Sequence, residues 1–381
     1  MAAKPHPAGI LYISSVSGMG GAEFVLYEAA KHLDRALFTP YLLVSGDGLL
    51  PQHCRAAGIQ TWTNGVFPFF SKRRPWHYLA AICHIVSIIR KHRISLVHVN
   101  CDRAVPHSVL ATRIAHVPCV CHVHDMLRAW FLPSYVRYLN WADRIVANSQ
   151  ATAAKCLSSG MQASKLDVIY ECFELTRYTE TTLYDREAFR HEFKLSPDEV
   201  AIGLVGQVLR HKGHEDYIHA ARIIVEHYPK CRFFIVGDDA LSADKEFLPY
   251  LRRLVEESQL TDHVVFTGFR SNTPQVFAGL DIVVAPSWEE PFGRVVVEAL
   301  AAQRPVVATC VGGIPEIIKD KVTGLLCPPH DPPALAERLL HLCTHADLRE
   351  ELGSRGPKAA ARFDVHQHVQ QFQELYLTLL K

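Results

Sequence analysis

The sequence has almost no net charge, with 40 Lys and Arg against 39 Asp and Glu in 381 residues. That balance supplies no bulk positive field and excludes a general nucleic-acid binder, so any anion site must be local. A long apolar run is missing as well. No stretch approaches the ~18 uncharged apolar residues of a membrane span, and Met1 to Gly9 lacks the apolar core of a signal peptide. A cytosolic protein is expected. There is no short-period repeat and no low-complexity segment, which excludes a solenoid and a disordered chain. The dinucleotide fingerprint GxGxxG with an acidic residue about 20 positions on is absent from both halves, and this counts against a nicotinamide oxidoreductase. The eleven cysteines are an odd number, scattered and mostly within apolar runs such as Val306 to Val311, the pattern of reduced, buried thiols. In the tightest cluster, a strand would turn Cys119 and Cys121 one way and His122 and His124 the other, so no metal site is expected.

What is present is a twofold alternation of short β-rich runs and helical stretches. The chain is long enough for two domains, each with its own core. Runs at Ile10 to Ser14, Tyr41 to Val44, Leu96 to Val99, Cys119 to Val123 and Arg144 to Ala147 predict a parallel, doubly wound sheet. The pattern restarts with Ala201 to Val205, Phe233 to Val236, Val264 to Phe266, Asp281 to Ala285 and Val306 to Thr309. The charged segment Leu183 to Glu199 separates the halves. The expected division is therefore residues 1–180 and 181–364, with residues 365–381 forming an amphipathic helix able to cross back onto the first domain.

Three loops carry the chemistry. Ser17 to Glu23, with Gly18, Gly20 and Gly21, forms a strand-to-helix turn whose backbone N-H groups can approach a ligand, or which simply makes a tight turn. Gly203 to His214 leads a strand into a loop with Arg210 and Lys212, suited to a diphosphate and equally to a solvated basic loop. Ser287 to Leu300 follows the run Asp281 to Ala285, and Pro291 and Gly293 there make the first turn of a helix whose N-terminal end favours an anion. Glu290 at its mouth can accept hydrogen bonds from sugar hydroxyls. Glu298, two turns on, can accept a pair from a ribose diol, the alternative being an ion pair with Arg294.

These residues resemble glycosyltransferase family 4, and the resemblance covers most of the chain. It implies an α/β protein of GT-B fold, two Rossmann-like doubly wound parallel-sheet domains facing across a cleft. The N-terminal domain would take the acceptor and the C-terminal domain the nucleotide-sugar donor. It implies that Glu290 contacts the donor sugar, Glu298 the ribose, and the N-H groups near Phe292 and Gly293 the diphosphate. Lys212 matches the family's phosphate-binding lysine, and Gly20 and Gly21 match the loop that lies against the phosphates. His124, in Cys121 to Asp125, matches a histidine facing the donor sugar, its alternative being a satisfied core histidine. His124, Glu290 and Lys212 form the expected catalytic set, and contacts to the base are placed near Phe269 and Arg270. Other matches are Ala142 to Ser149, Gly312 to Glu316 and Gly324 to Leu326. Two positions depart from the pattern. Gln207 stands where the family often has an arginine, with Arg210 a candidate replacement, and Glu171-Cys172-Phe173-Glu174 replaces the common Asn-Gly-Val-Asp.

The resemblance implies metal-independent, retaining hexosyl transfer from a nucleotide-diphosphate sugar, with a UDP-sugar favoured and no cofactor. Gly237-Asp238-Asp239 is read as a strand-end turn, not a metal motif. Rival readings are a sugar phosphorylase, a non-hydrolysing nucleotide-sugar epimerase, and a nucleotide-sugar-binding protein without catalysis. Phe67 to Trp76 and Arg128 to Tyr135 mix aromatic and basic residues, which suits an anionic membrane surface, an acceptor-pocket lid or packing between helices. With a membrane contact, a saccharide or lipid-linked acceptor at the inner face of the plasma membrane follows, as in cell-envelope or exopolysaccharide synthesis.

Overall fold

A computed structural model describes residues 6–68, 73–100, 103–126, 132–180, 183–240, 242 and 244–381. The chain divides into two compact units, residues 1–173 with 363–381, and residues 174–362. The sequence-based limits of 180 and 364 differ from these divisions at 173 and 362. The segment read as separating the halves contains the helix Leu183–Glu192, which belongs to the second unit. Its Arg186 and Arg190 reach Asp281 at 2.6 and 3.1 Å, ahead of the strand that Asp281 introduces.

The first unit is a seven-stranded parallel sheet: β1 (Ala8–Ser14), β2 (Phe38–Val44), β3 (Gln60–Trp62), β4 (Ile94–Asn100), β5 (Cys119–Val123), β6 (Arg144–Ala147) and β7 (Leu166–Val168). Its spatial order is β3-β2-β1-β4-β5-β6-β7. Helices cover both faces, so each strand buries alternate residues in opposite layers. Leu11, Ile13, Cys119, Cys121 and Val123 enter one core, while Ile10, Tyr12 and Val120 enter the other.

The helix Val365–Leu379 closes that second layer. Val365, Val369, Phe372 and Tyr376 recur at helical spacing, all buried, and pack beside the helix Gly21–His32. Asp364 caps its start by accepting from the His366 N-H, and where the chain returns the Phe173 N-H donates to the Phe363 carbonyl while the Phe173 carbonyl accepts from the Val365 N-H.

The second unit carries a six-stranded parallel sheet: β8 (Val200–Val205), β9 (Cys231–Val236), β10 (Val264–Gly268), β11 (Ile282–Ala285), β12 (Val306–Thr309) and β13 (Leu325–Cys327). The order is β10-β9-β8-β11-β12-β13. Both sheets reverse their winding direction once, at β1/β4 and at β8/β11. In open α/β sheets, such a switch point opens a crevice beyond the carboxyl ends of the strands, the usual place for a ligand.

Candidate active site

At the β8/β11 switch point the two loops are built onto one another. After β8, Arg210–Lys212 forms a single 3-10 turn that ends at Gly213, whose φ of +72° lies in the left-handed region. A Cβ at Gly213 would lie 1.9 Å from the Pro286 carbonyl oxygen, so only glycine allows the approach. The Trp288 N-H then donates to the His211 carbonyl at 2.7 Å, and Trp288 Nε1 donates to Asp216 at 2.7 Å. This brings Lys212 Nζ to 2.6 Å from Glu290 Oε2. The Ser287 hydroxyl donates to the same oxygen at 3.0 Å.

Glu290 is 7 % exposed, a burial that a carboxylate tolerates only with such partners. Its backbone is fixed as well, since the Gly313 N-H donates to the Glu290 carbonyl. Phe292 is buried, and Gly293, at φ +110°, caps the helix Arg294–Ala301. The site thus combines an ammonium, a carboxylate and a helix N-terminus at one sheet edge. An ammonium and first-turn N-H groups suit a diphosphate, and a carboxylate suits sugar hydroxyls.

Glu298 is half-buried on that helix, with Arg294 Nη2 at 3.8 Å, so the ion pair considered from the sequence is present. It also faces Tyr178, whose hydroxyl burial, with Glu298 adding, pushes well above the usual phenol range. Arg210 does not join Lys212. Its guanidinium lies over the Phe247 ring at 4.6 Å and pairs with Asp244 at 2.8 Å and Glu215 at 3.7 Å, and Gln207 is exposed. Arg270 makes two hydrogen bonds to Glu192, at 2.5 and 3.2 Å, and covers Phe193. Phe269 beside it is 70 % exposed at the end of β10. At Gly237-Asp238-Asp239, the Asp238 carbonyl accepts from the Val208 N-H and its carboxylate from the Ala240 N-H.

In the first unit Gly20 caps the helix Gly21–His32, and its N-H donates to Glu23 at 3.2 Å. His124 follows β5 and sits in a buried polar network. Its Nε2 meets Asn100 Oδ1 at 2.7 Å, its Nδ1 meets Glu171 Oε1 at 3.4 Å, and Asn148 Nδ2 donates to Glu171 at 2.7 Å and to the His124 carbonyl at 3.1 Å. The His122 and His124 rings lie 3.9 Å apart between centroids, tilted by 39°, while Cys119 and Cys121 lie in the opposite layer.

Sequence reasoning assigned nothing to Ser287, Asn100 or Asn148 and read Glu171 only as a departure. The signal available was a polar residue at, or within three residues of, the end of a strand. Of the aromatic and basic stretches, residues 69–72 and 128–131 lie outside the described residues. Trp76 and Leu79, on the helix Pro75–Lys91, are 59 % and 58 % exposed. Among the described residues no helix is long and apolar enough to cross a membrane, and the ten cysteines are free thiols, with Cys83 and Cys310 exposed.

Residues 185–359 match the family model Glycosyl transferases group 1, and residues 19–177 match Glycosyltransferase Family 4. An α-D-kanosaminyltransferase of Streptomyces kanamyceticus is 27 % identical over 311 residues, 76 % of this chain and 78 % of that protein. A D-inositol 3-phosphate glycosyltransferase of Mycobacteroides abscessus is 34 % identical over 192 residues, 50 % of this chain but only 42 % of that protein. The crystal structure of Anabaena Alr3699/HepE in complex with UDP-glucose is 27 % identical, with a TM-score of 0.85 over 97 % of this chain and 99 % of that one. With residues 19–177 and 185–359 matched in order by these two family models, the chain belongs to glycosyltransferase family 4.

Proposed function

We propose that the protein transfers a hexosyl group from a nucleotide-diphosphate sugar, a UDP-sugar by preference, to a saccharide or lipid-linked acceptor with retention of configuration. The observation that carries this reading is the 2.6 Å contact between Lys212 and Glu290, delivered from β8 and β11 to the switch point of the second sheet. The complex of Anabaena HepE with UDP-glucose supports the choice of donor.

Glycosyl transfer requires stabilising a departing diphosphate and a sugar with oxocarbenium character. A fixed ammonium and a helix N-terminus do the first electrostatically, in place before the charge develops. With no ligand, Glu290 neutralises Lys212. A bound diphosphate draws the ammonium away, and Glu290, still held by Ser287, turns its carboxylate to the sugar hydroxyls. Glu298 takes the ribose diol, and His124, Gly20 and Gly21 supply the contacts the family pattern assigns to them. The acceptor hydroxyl attacks the anomeric carbon on the leaving-group face, and the diphosphate oxygen takes its proton. No metal or cofactor is required. Trp76, Leu79, Arg73 and Arg74 offer an anionic membrane surface an apolar and cationic contact, consistent with a lipid-linked acceptor of the cell envelope.

The test is a thermal-shift panel of UDP, GDP and ADP. It is followed, in EDTA, by hydrolysis of UDP-glucose, UDP-galactose, UDP-N-acetylglucosamine, GDP-mannose and ADP-glucose. Stabilisation by UDP and release of UDP from one of its sugars are expected. Replacing Lys212 by alanine should lower that turnover about 10²–10³-fold, the usual loss with one charge-stabilising donor; unchanged turnover overturns the assignment.

A further inference from the structure

Four consecutive strands of the first sheet end in buried polar residues that form one network, in which Asn100 and Glu171 meet the His124 ring and Asn148 meets its carbonyl and Glu171. Asn100 closes β4, His124 follows β5, Asn148 follows β6 and Glu171 follows β7, and all four are less than a tenth exposed. A carboxylate at 4 % exposure is costly unless it is matched. Here Glu171 Oε1 faces His124 Nδ1 and accepts from Asn148 Nδ2. The second hydrogen of that amide goes to the His124 carbonyl, so Asn148 ties the carboxylate to the backbone of the residue it serves.

We propose that Glu171 is a positioning residue for His124, holding the imidazole by Nδ1 and so fixing its tautomer and orientation. This rests on the reading of His124 as a donor-sugar residue. A carboxylate only accepts, so a proton shared with Glu171 sits on Nδ1; Nε2 is then an acceptor, and the tautomer requires Asn100 to present its amide N-H group rather than Oδ1 to the ring. His122 packs against the ring, tilted by 39° with centroids 3.9 Å apart, and is kept neutral because burial, with His124, His98 and His368 adding, holds its proton affinity well below the usual histidine range. A histidine that merely filled the core would not require polar groups from three neighbouring strand ends. The arrangement matches that of a functional imidazole, in which a second group fixes the tautomer of the first.

The test is a double-mutant cycle on the full chain, with the nucleotide sugar hydrolysed fastest in the panel above. Glu171→Ala should lower kcat at least tenfold with the donor KM changed less than about twofold, and in a His124→Ala background it should lower kcat no further, because residues acting as one unit are not additive. Glu171→Gln, isosteric and able to accept from Nδ1-H through its amide oxygen, should retain most of the turnover. It also keeps the test open if the alanine variant does not fold. In histidine-labelled protein the two-bond ¹H–¹⁵N pattern of His124 should report a protonated Nδ1 in the wild type and in Glu171→Gln, and lose it in Glu171→Ala. Equal losses in both backgrounds, or an unchanged ¹⁵N pattern, overturn the proposal. If His124→Ala turns over like the wild type while the ¹⁵N pattern still depends on Glu171, the donor-sugar reading of His124 fails and the positioning role falls with it.

Discussion

Lys212 and Glu290 hold two full charges at 2.6 Å with the carboxylate nearly out of water, and this arrangement makes function and stability separable by mutation. Truncating the lysine leaves a buried acceptor with only the Ser287 hydroxyl, a cost of about 1–3 kcal/mol. Lys212→Ala should therefore lose stability as well as turnover, and adding Glu290→Gln should recover stability but not turnover, as read by urea denaturation beside UDP release. A double variant no more stable than Lys212→Ala would show that the pair is not what holds Glu290. Gly213→Ala should also destabilise, because its +72° φ disfavours a side chain and the new Cβ would meet the Pro286 carbonyl. At this scale the sequence was informative where a residue's role lies in a local motif. Glu290, Glu298 and Lys212 could be singled out by their place after a strand. The partnership of His124 with Glu171 could not, because it links residues 47 positions apart through the register of β5, β6 and β7.

Among the elements, the helix Val365–Leu379 carries much of the first unit's second layer, and buried histidines lie beneath it. His98 Nδ1 meets the Tyr376 hydroxyl at 2.5 Å, and His98, His122 and His368 lie against Phe372 at ring separations of about 5 Å. Phe372→Ala should cost about 3–5 kcal/mol, the range for removing a buried aromatic ring. Burial, with His124 and His368 adding, pushes His98 from 6.5 down to about 3, and His122 is lowered as well. Below pH 6.5 the unfolded chain binds protons that the folded chain refuses, so folding stability is full above 6.5 and is lost as pH falls towards 3, with a slope of ~1.4 kcal/mol per pH unit for each such histidine. Urea midpoints should therefore drop between pH 7 and pH 5, and the drop should shrink in His98→Gln; a midpoint independent of pH in that window would contradict the burial of these rings. Ten strands follow from their apolar runs. The edge strands β3, β7 and β13 do not, because three residues such as Gln60–Trp62 are too few to show a period. The helix Leu183–Glu192 does not follow from the sequence pattern, because its charges read as a segment separating the halves, whereas Arg186 and Arg190 are committed to Asp281.

For the whole molecule, each unit places its polar groups at the carboxyl edge of its own sheet. Asn100, His124, Asn148 and Glu171 stand along β4 to β7, and Lys212, Ser287 and Glu290 stand at β8/β11. The two-sheet architecture was legible because hydrophobic periodicity is a global signal that restarts in the second half. The return of the last helix to the first unit depends on tertiary packing by Phe372 and Tyr376, which a sequence pattern allows but does not specify. The central claim is that the β8/β11 edge binds the donor's diphosphate through Lys212. Calorimetric titration of the full chain with UDP, in EDTA, tests it most directly. Binding to the wild type, at least tenfold weaker binding to Lys212→Ala, and an unchanged affinity in Glu289→Ala, the exposed neighbour of Glu290, are the results predicted. Equal UDP affinity in the wild type and Lys212→Ala would contradict the account.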